Sequence, residues 1–174
     1  VLDAKLSGNG RYLVFLTRPS LSDPAYIYRR DLQTGETIIV SRSSSGELPE
    51  QPLNGGTADA PTISDDGRYV AFSSWSNNLV EGDTNDVSDI FVRDTMTNQT
   101  IRASVRSNGV QGNGGSFDPI ISGNGRYIAF QSGASNLISG DTNGWRDIFV
   151  YDQQTMQTIR ISIASNGAQT NGVS

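Results

Sequence analysis

An all-β chain of tandem four-stranded antiparallel sheets, in three repeats of about 58 residues, is predicted by three recurring blocks. SGNGRYLVF at 7–15 returns as SDDGRYVAF at 64–72 and as SGNGRYIAF at 122–130, so that Arg11, Arg68 and Arg126 lie 57 and 58 residues apart. DIFVRD at 89–94 recurs as DIFVYD at 147–152 and, more weakly, as YIYRRD at 26–31. TIRASV at 100–105 recurs as TIRISI at 158–163 and as TIIVS at 37–41. Self-similarity at a fixed period marks a repeat architecture in which each copy is one supersecondary unit. The copies divide the chain into 1–57, 58–115 and 116–174.

Each copy supplies four short strands separated by turn chemistry. In copy three the first strand ends at Ile121-Ser122, and Gly123-Asn124-Gly125 then offers the positive φ angles of a tight hairpin. The second strand, RYIAF, is apolar on both faces, with Tyr127 and Ala129 on one side and Ile128 and Phe130 on the other, which predicts burial on both. The third is the DIFVYD block. The fourth alternates, Ile159, Ile161 and Ile163 against Arg160 and Ser162, as expected of a strand nearer the solvent. A sheet of this size cannot cover its own faces and must stack on copies of itself. Radial stacking of hairpin-connected strands, graded from buried to half-exposed, gives the blades of a β-propeller in preference to a linear solenoid.

Composition agrees with this and narrows the function. Hydrophobic residues make up 35% and there are 19 glycines, a balance suited to many turns between short strands and not to long helices. A net charge of −5, with Lys5 the only lysine and the arginines scattered, argues against a sequence-independent nucleic-acid binder or an anionic-lipid binder. No apolar run approaches the ~20 residues of a membrane helix. Without cysteine there are no disulfides or thiolate metal sites. Without histidine there is no imidazole base, and Ser-His and Cys-His nucleophile pairs are excluded.

The S-x-D-G-R-Y-x-A-F block followed by D-I-F-V-x-D resembles the WD40-like, or PD40, repeat of TolB-type β-propellers. The resemblance covers all three copies, and copy one departs from it in its middle. It implies a non-catalytic propeller, secreted, extracellular or periplasmic, and it carries over no partner-binding residue.

The candidate for chemistry is the loop before the third strand, GDTNDVSD in copy two and GDTNGWRD in copy three. Asp83, Asn85 and Asp89 stand at relative positions 1, 3 and 7, as do Asp141, Asn143 and Asp147. Oxygen ligands at 1, 3 and 7, with the carbonyl of Val87 or Trp145 at 5, are how a tight loop wraps Ca²⁺. The same residues also suit Asx turns that hydrogen-bond the loop's own backbone. Copy one has RPSLSDPAY here, with Tyr26 in the place of Asp89 and Asp147, and is expected to bind nothing. Asp65 and Asp66 read as turn residues and not as a catalytic pair. Trp75 and Trp145 read as blade-edge residues, with sugar stacking as the alternative.

The function expected is therefore a structural, assembly or protein-interaction module, calcium-stabilised through the two acidic loops. The alternatives are the propeller part of a larger secreted peptidase or polysaccharide lyase, or a lectin-like glycan binder. Partners are expected to be further blades of a parent chain or a second copy docked head to tail, as a six-bladed ring or a filament. Self-docking is motivated by phase: NGVS at 171–174 joined to VLDAKLS at 1–7 recreates the internal junctions NGGTADAPTIS and NGGSFDPIIS. The start at Val1, without an initiator methionine, suggests a processed or excised piece of something longer.

Overall fold

The computed structural model describes residues 3–17, 24–50, 60–167 and 169. Blade one holds β1 (Asp3–Leu6), β2 (Tyr12–Thr17), β3 (Tyr26–Asp31) and β4 (Thr37–Ile39). Blade two holds β5 (Thr62–Ile63), β6 (Tyr69–Ser74), β7 (Asp89–Asp94) and β8 (Gln99–Arg102). Blade three holds β9 (Ser116–Ile121), β10 (Tyr127–Ser132), β11 (Asp147–Asp152) and β12 (Gln157–Arg160). Each sheet is an antiparallel meander of four consecutive strands. Of the junction phrases, residues 54–59, 171–174 and 1–2 lie outside the described residues, as do residues 18–23 of the copy-one loop.

Register repeats with the sequence. Tyr12, Tyr69 and Tyr127 stand opposite Asp31, Asp94 and Asp152 at one end of the central strand pair, and Thr17, Ser74 and Ser132 stand opposite Tyr26, Asp89 and Asp147 at the other. The first turn fixes this register. The hydroxyls of Ser7, Ser64 and Ser122 donate to the side chains of Asn9, Asp66 and Asn124 at 2.7, 2.6 and 2.7 Å, and they accept the N–H of Tyr12, Tyr69 and Tyr127. Gly10, Gly67 and Gly125 follow with φ of 72°, 76° and 74°, where glycine sits without a Cβ penalty. Gly123, expected to share this conformation, does not. It is small for another reason: a Cβ there would fall 2.2 Å from Oδ2 of Asp65 in blade two.

An ion pair closes the same end of every blade. Arg11, Arg68 and Arg126 meet Asp31, Asp94 and Asp152 with Nη2 to Oδ2 distances of 2.6, 2.6 and 2.7 Å. Oδ1 of each carboxylate accepts the N–H of Gln33, Met96 or Gln154, which opens the turn into the outer strand. One aspartate thus ties the start of the second strand to the end of the third and shapes the next hairpin.

The cores lie between blades. Val14, Leu16, Ile27 and Val40 of blade one pack against Val70, Phe72 and Phe91 of blade two. The opposite face of blade two, with Ala71 and Val92, packs against Ile128, Phe130 and Phe149 of blade three. Full burial of such side chains contributes roughly 1.5–3 kcal/mol each. β6 is buried on both faces after Tyr69, as the apolar second strand predicts, whereas β2 and β10 alternate because each end blade has one neighbour. On the outer strand the polar side of the alternation is the inward one. The Arg160 side chain is 9% exposed while Ile159, Ile161 and Ile163 are 54%, 48% and 48% exposed.

Candidate functional site: the acidic loops

The loop before β7 folds so that Asp83, Asn85 and Asp89 converge at the edge of blade two. The Asp89 side chain is fully buried and that of Asp83 nearly so. Between them stands Arg102 from β8, with Nη1 3.0 Å from Asp83 and 3.5 Å from Asp89. The Asn85 amide donates to Asp89 Oδ2 at 3.2 Å and to the Gly112 carbonyl at 2.8 Å, and its oxygen accepts the Val87 N–H. Ser104 donates to Asp89 Oδ1 and accepts the Ile90 N–H, which pins the carboxylate to the sheet.

Blade three repeats the arrangement. Arg160 lies 3.4 Å from Asp141 and 3.3 Å from Asp147, and Ser162 donates to Asp147 at 2.6 Å. The Asn143 amide points at Asp147 and its oxygen accepts the Trp145 N–H at 3.0 Å. Gln169 donates to Asp141 at 2.8 Å. All six residues singled out from sequence are therefore brought together in two threes, and Asn85 and Asn143 both make the Asx-type contact to position 5 of the loop.

What sequence reasoning missed is the cation. The alternation of the fourth strand puts Arg160 on its polar side and says nothing of a partner, and its counterpart Arg102 is equally silent. The internal repeat held the signal: Asp89 goes with Arg102 and Asp147 with Arg160, while copy one has Tyr26 and Ile39 at the matching positions. Charge appears or disappears on both strands together. Ser41, Ser104 and Ser162, which accept the N–H of Ile27, Ile90 and Ile148, were missed as well.

Each box carries two carboxylates against one guanidinium. Burial pushes the Asp89 carboxyl up to about 6, against the opposing pull of Ser104 and Arg102, and burial also raises Asp83. Arg102 divides its attraction between two acids, so neither is fully compensated. Among the described residues, no group of three or more acidic side chains converges on a point where they could hold a metal.

A second feature is a groove of about 510 Å³ between blades two and three, bordered by Tyr69, Val92, Asp94, Ile101, Arg126 and Gln153. The corresponding groove between blades one and two is about 340 Å³, with Arg29 standing where blade two has Val92. Trp75 and Trp145 are about half exposed and belong to different blades.

No protein-family model matches the sequence, and no curated protein matches it. Solved structures do match. TolB from Acinetobacter baumannii is similar with a TM-score of 0.57 and 17% identity, over 95% of this chain and 33% of its own. The tricorn protease gives 0.56 and 17% over 86% of this chain and 13% of its own. The β-propeller domain of the Trilobed protease from Pyrococcus furiosus gives 0.52 and 15% over 90% and 40%. The chain thus spans a third of that TolB and less of the tricorn protease. Likeness at such identities establishes architecture alone: the chain has the TolB-type β-propeller fold, in three four-stranded blades.

Proposed function

We propose that the chain is a non-catalytic structural and interaction module, a propeller segment working outside the cytoplasm, in the periplasm or the extracellular space. The observation that carries this reading is the employment of its repeated charged groups. Asp31, Asp94 and Asp152 close hairpins with Arg11, Arg68 and Arg126, and the acidic loops are clamped to β8 and β12 by Arg102 and Arg160. The acids and bases that recur with the repeat are committed to holding strands together. Purified chain is expected to release no product from fluorogenic peptides, nor from uronate polysaccharides followed by the absorbance of a lyase product. Saturable turnover that falls in a point variant of a described residue overturns the reading in favour of an enzyme.

The second reading keeps the module and adds calcium at Asp83, Asn85 and Asp89 and at Asp141, Asn143 and Asp147. It is supported by the surplus carboxylate in each box. Binding there requires the guanidinium to swing aside, because cation and metal compete for the same oxygens. Melting curves in calcium and in chelator separate the two: the arginine clamp expects coincident curves. A midpoint raised by calcium, and lost in Asp89→Ala with Asp147→Ala, supports the metal.

A further inference from the structure

The contacts that join blade one to blade two are made again between blades two and three, at the same positions of the repeat and in the same direction. In the first junction the Tyr12 ring lies against Gly67, where a Cβ would come within 2.0 Å of it. In the second the Tyr69 ring lies against Gly125, where the distance would be 2.3 Å. At the outer edge, Thr100 donates its N–H to Ser44 Oγ at 2.9 Å and its hydroxyl to the Arg42 carbonyl at 2.5 Å. Thr158 does the same with Ser107 Oγ at 3.0 Å and the Val105 carbonyl at 2.5 Å.

Both halves of this junction recur on the outward faces of blades one and three, with no blade docked on either among the described residues. The Thr37 hydroxyl accepts from Arg30 Nη1 at 3.0 Å, and a hydroxyl that accepts still has its own proton to donate. Blade three offers Tyr127, 41% exposed, and the Ile163 carbonyl with exposed Ser165, the counterparts of Val105 and Ser107. That outer turn is already shaped for docking. The Ile163 N–H reaches the Ile161 carbonyl at 2.7 Å and Gly167 reaches Ala164 at 2.8 Å, as Val105 and Gly109 do in the docked blade at 2.9 and 2.7 Å. Blade one offers Gly10, around which a Cβ would meet nothing within 4 Å, and exposed Thr37, the counterpart of buried Thr100 and Thr158. Apolar surface continues behind each half: Ile120, Ile159 and Ile161 on blade three, and Leu6 with the stacked Phe15 and Tyr28 on blade one.

The geometry points to a second copy of this chain as the occupant: the open face of blade three docks on the open face of blade one of another molecule. Tyr127 covers Gly10, while Ser165 and the Ile163 carbonyl take the N–H and hydroxyl of Thr37. The contact is heterologous, and it extends the internal junction without a new kind of surface. This rests on the structural-module reading above, yet the two fail separately, because turnover sinks that reading and mass sinks this one.

Sedimentation of the chain is expected to give at least twice the 18.7 kDa monomer mass. Thr37→Arg blocks one half and Ile159→Asp the other. Both alter exposed residues, so folded sheet is retained, as circular dichroism verifies. Each variant alone is expected at monomer mass. An equimolar mixture of the two is expected to form a one-to-one pair and nothing larger, since one intact face of each kind remains. A folded wild-type monomer at millimolar concentration, or a mixture that stays monomeric, overturns the proposal and leaves the open faces to blades of another polypeptide.

Discussion

At the scale of single residues, the aspartates divide into two classes that respond to pH in opposite senses. Burial lifts Asp94 but is outweighed by the Arg68 guanidinium and the N–H groups of Met96 and Thr97, which hold it at about 2. Its contribution to stability is present above the unfolded value of about 3.9 and is lost as pH falls through the folded one. Asp89, held up to about 6 chiefly by burial, runs the other way. Both states are protonated below pH ~4, and stability is lost as pH rises from about 4 through about 6, where the folded chain must ionise a buried group. Melting midpoints are expected to rise between pH 2 and 4 and to fall between 4 and 6. Asp89→Asn flattens most of the second limb and leaves the first, with Asp83 contributing what remains. A second limb unchanged in that variant assigns the titration to another group.

Among elements, the outer hairpin shows how the repeat tolerates one strained position. The turn residue preceding the fourth strand lies in the left-handed region in all three blades: Gly35 at φ 79°, Asn98 at 59° and Met156 at 57°. Glycine and asparagine enter that region at little cost, whereas other side chains lose roughly 1–2 kcal/mol there. Met156 is 65% exposed, so its side chain contributes little packing in return. Met156→Asn, which copies Asn98, is expected to raise stability by about 0.5–1 kcal/mol in chemical unfolding; a loss would show that the methionine packs after all. The repeats made such comparisons available from sequence, as they made the strands, their order and the six acidic-loop residues. Contacts that cross the blade were harder to read. The partnership of Arg102 with Asp89 spans two strands, and an arginine in a strand nearer the solvent reads as polar exterior. The exposure of Ile159 was hidden for the opposite reason, because alternation tells which residues share a face but not whether another blade covers it.

Across the whole molecule, stacking gives stability an uneven distribution. Each blade of a repeat array gains from its own hairpins and from its junctions, and blade two has two junctions where blades one and three have one. Local opening that separates one end blade breaks a single core and a single set of threonine contacts. Opening blade two breaks both cores, so amides of β6 and β7 are expected to exchange slowest, and those of β1 and β12, at opposite ends of the array, fastest. Residues 70–74 and 90–92, buried on both faces of their strands, define the protected segment. The gradient also reads out docking between copies. An end blade covered by a second molecule acquires the junction it lacked, and mass action ties that gain to concentration. Hydrogen exchange followed by mass spectrometry at micromolar and millimolar chain is therefore expected to show β6 and β7 unchanged, with protection rising at β12 and β4 together. The rise should vanish in Thr37→Arg. Uniform exchange across the three blades would mean that the array opens as one unit and would refute the gradient itself. Protection that rises on one end blade alone would be incompatible with a head-to-tail contact, in which each interface takes one face from each end.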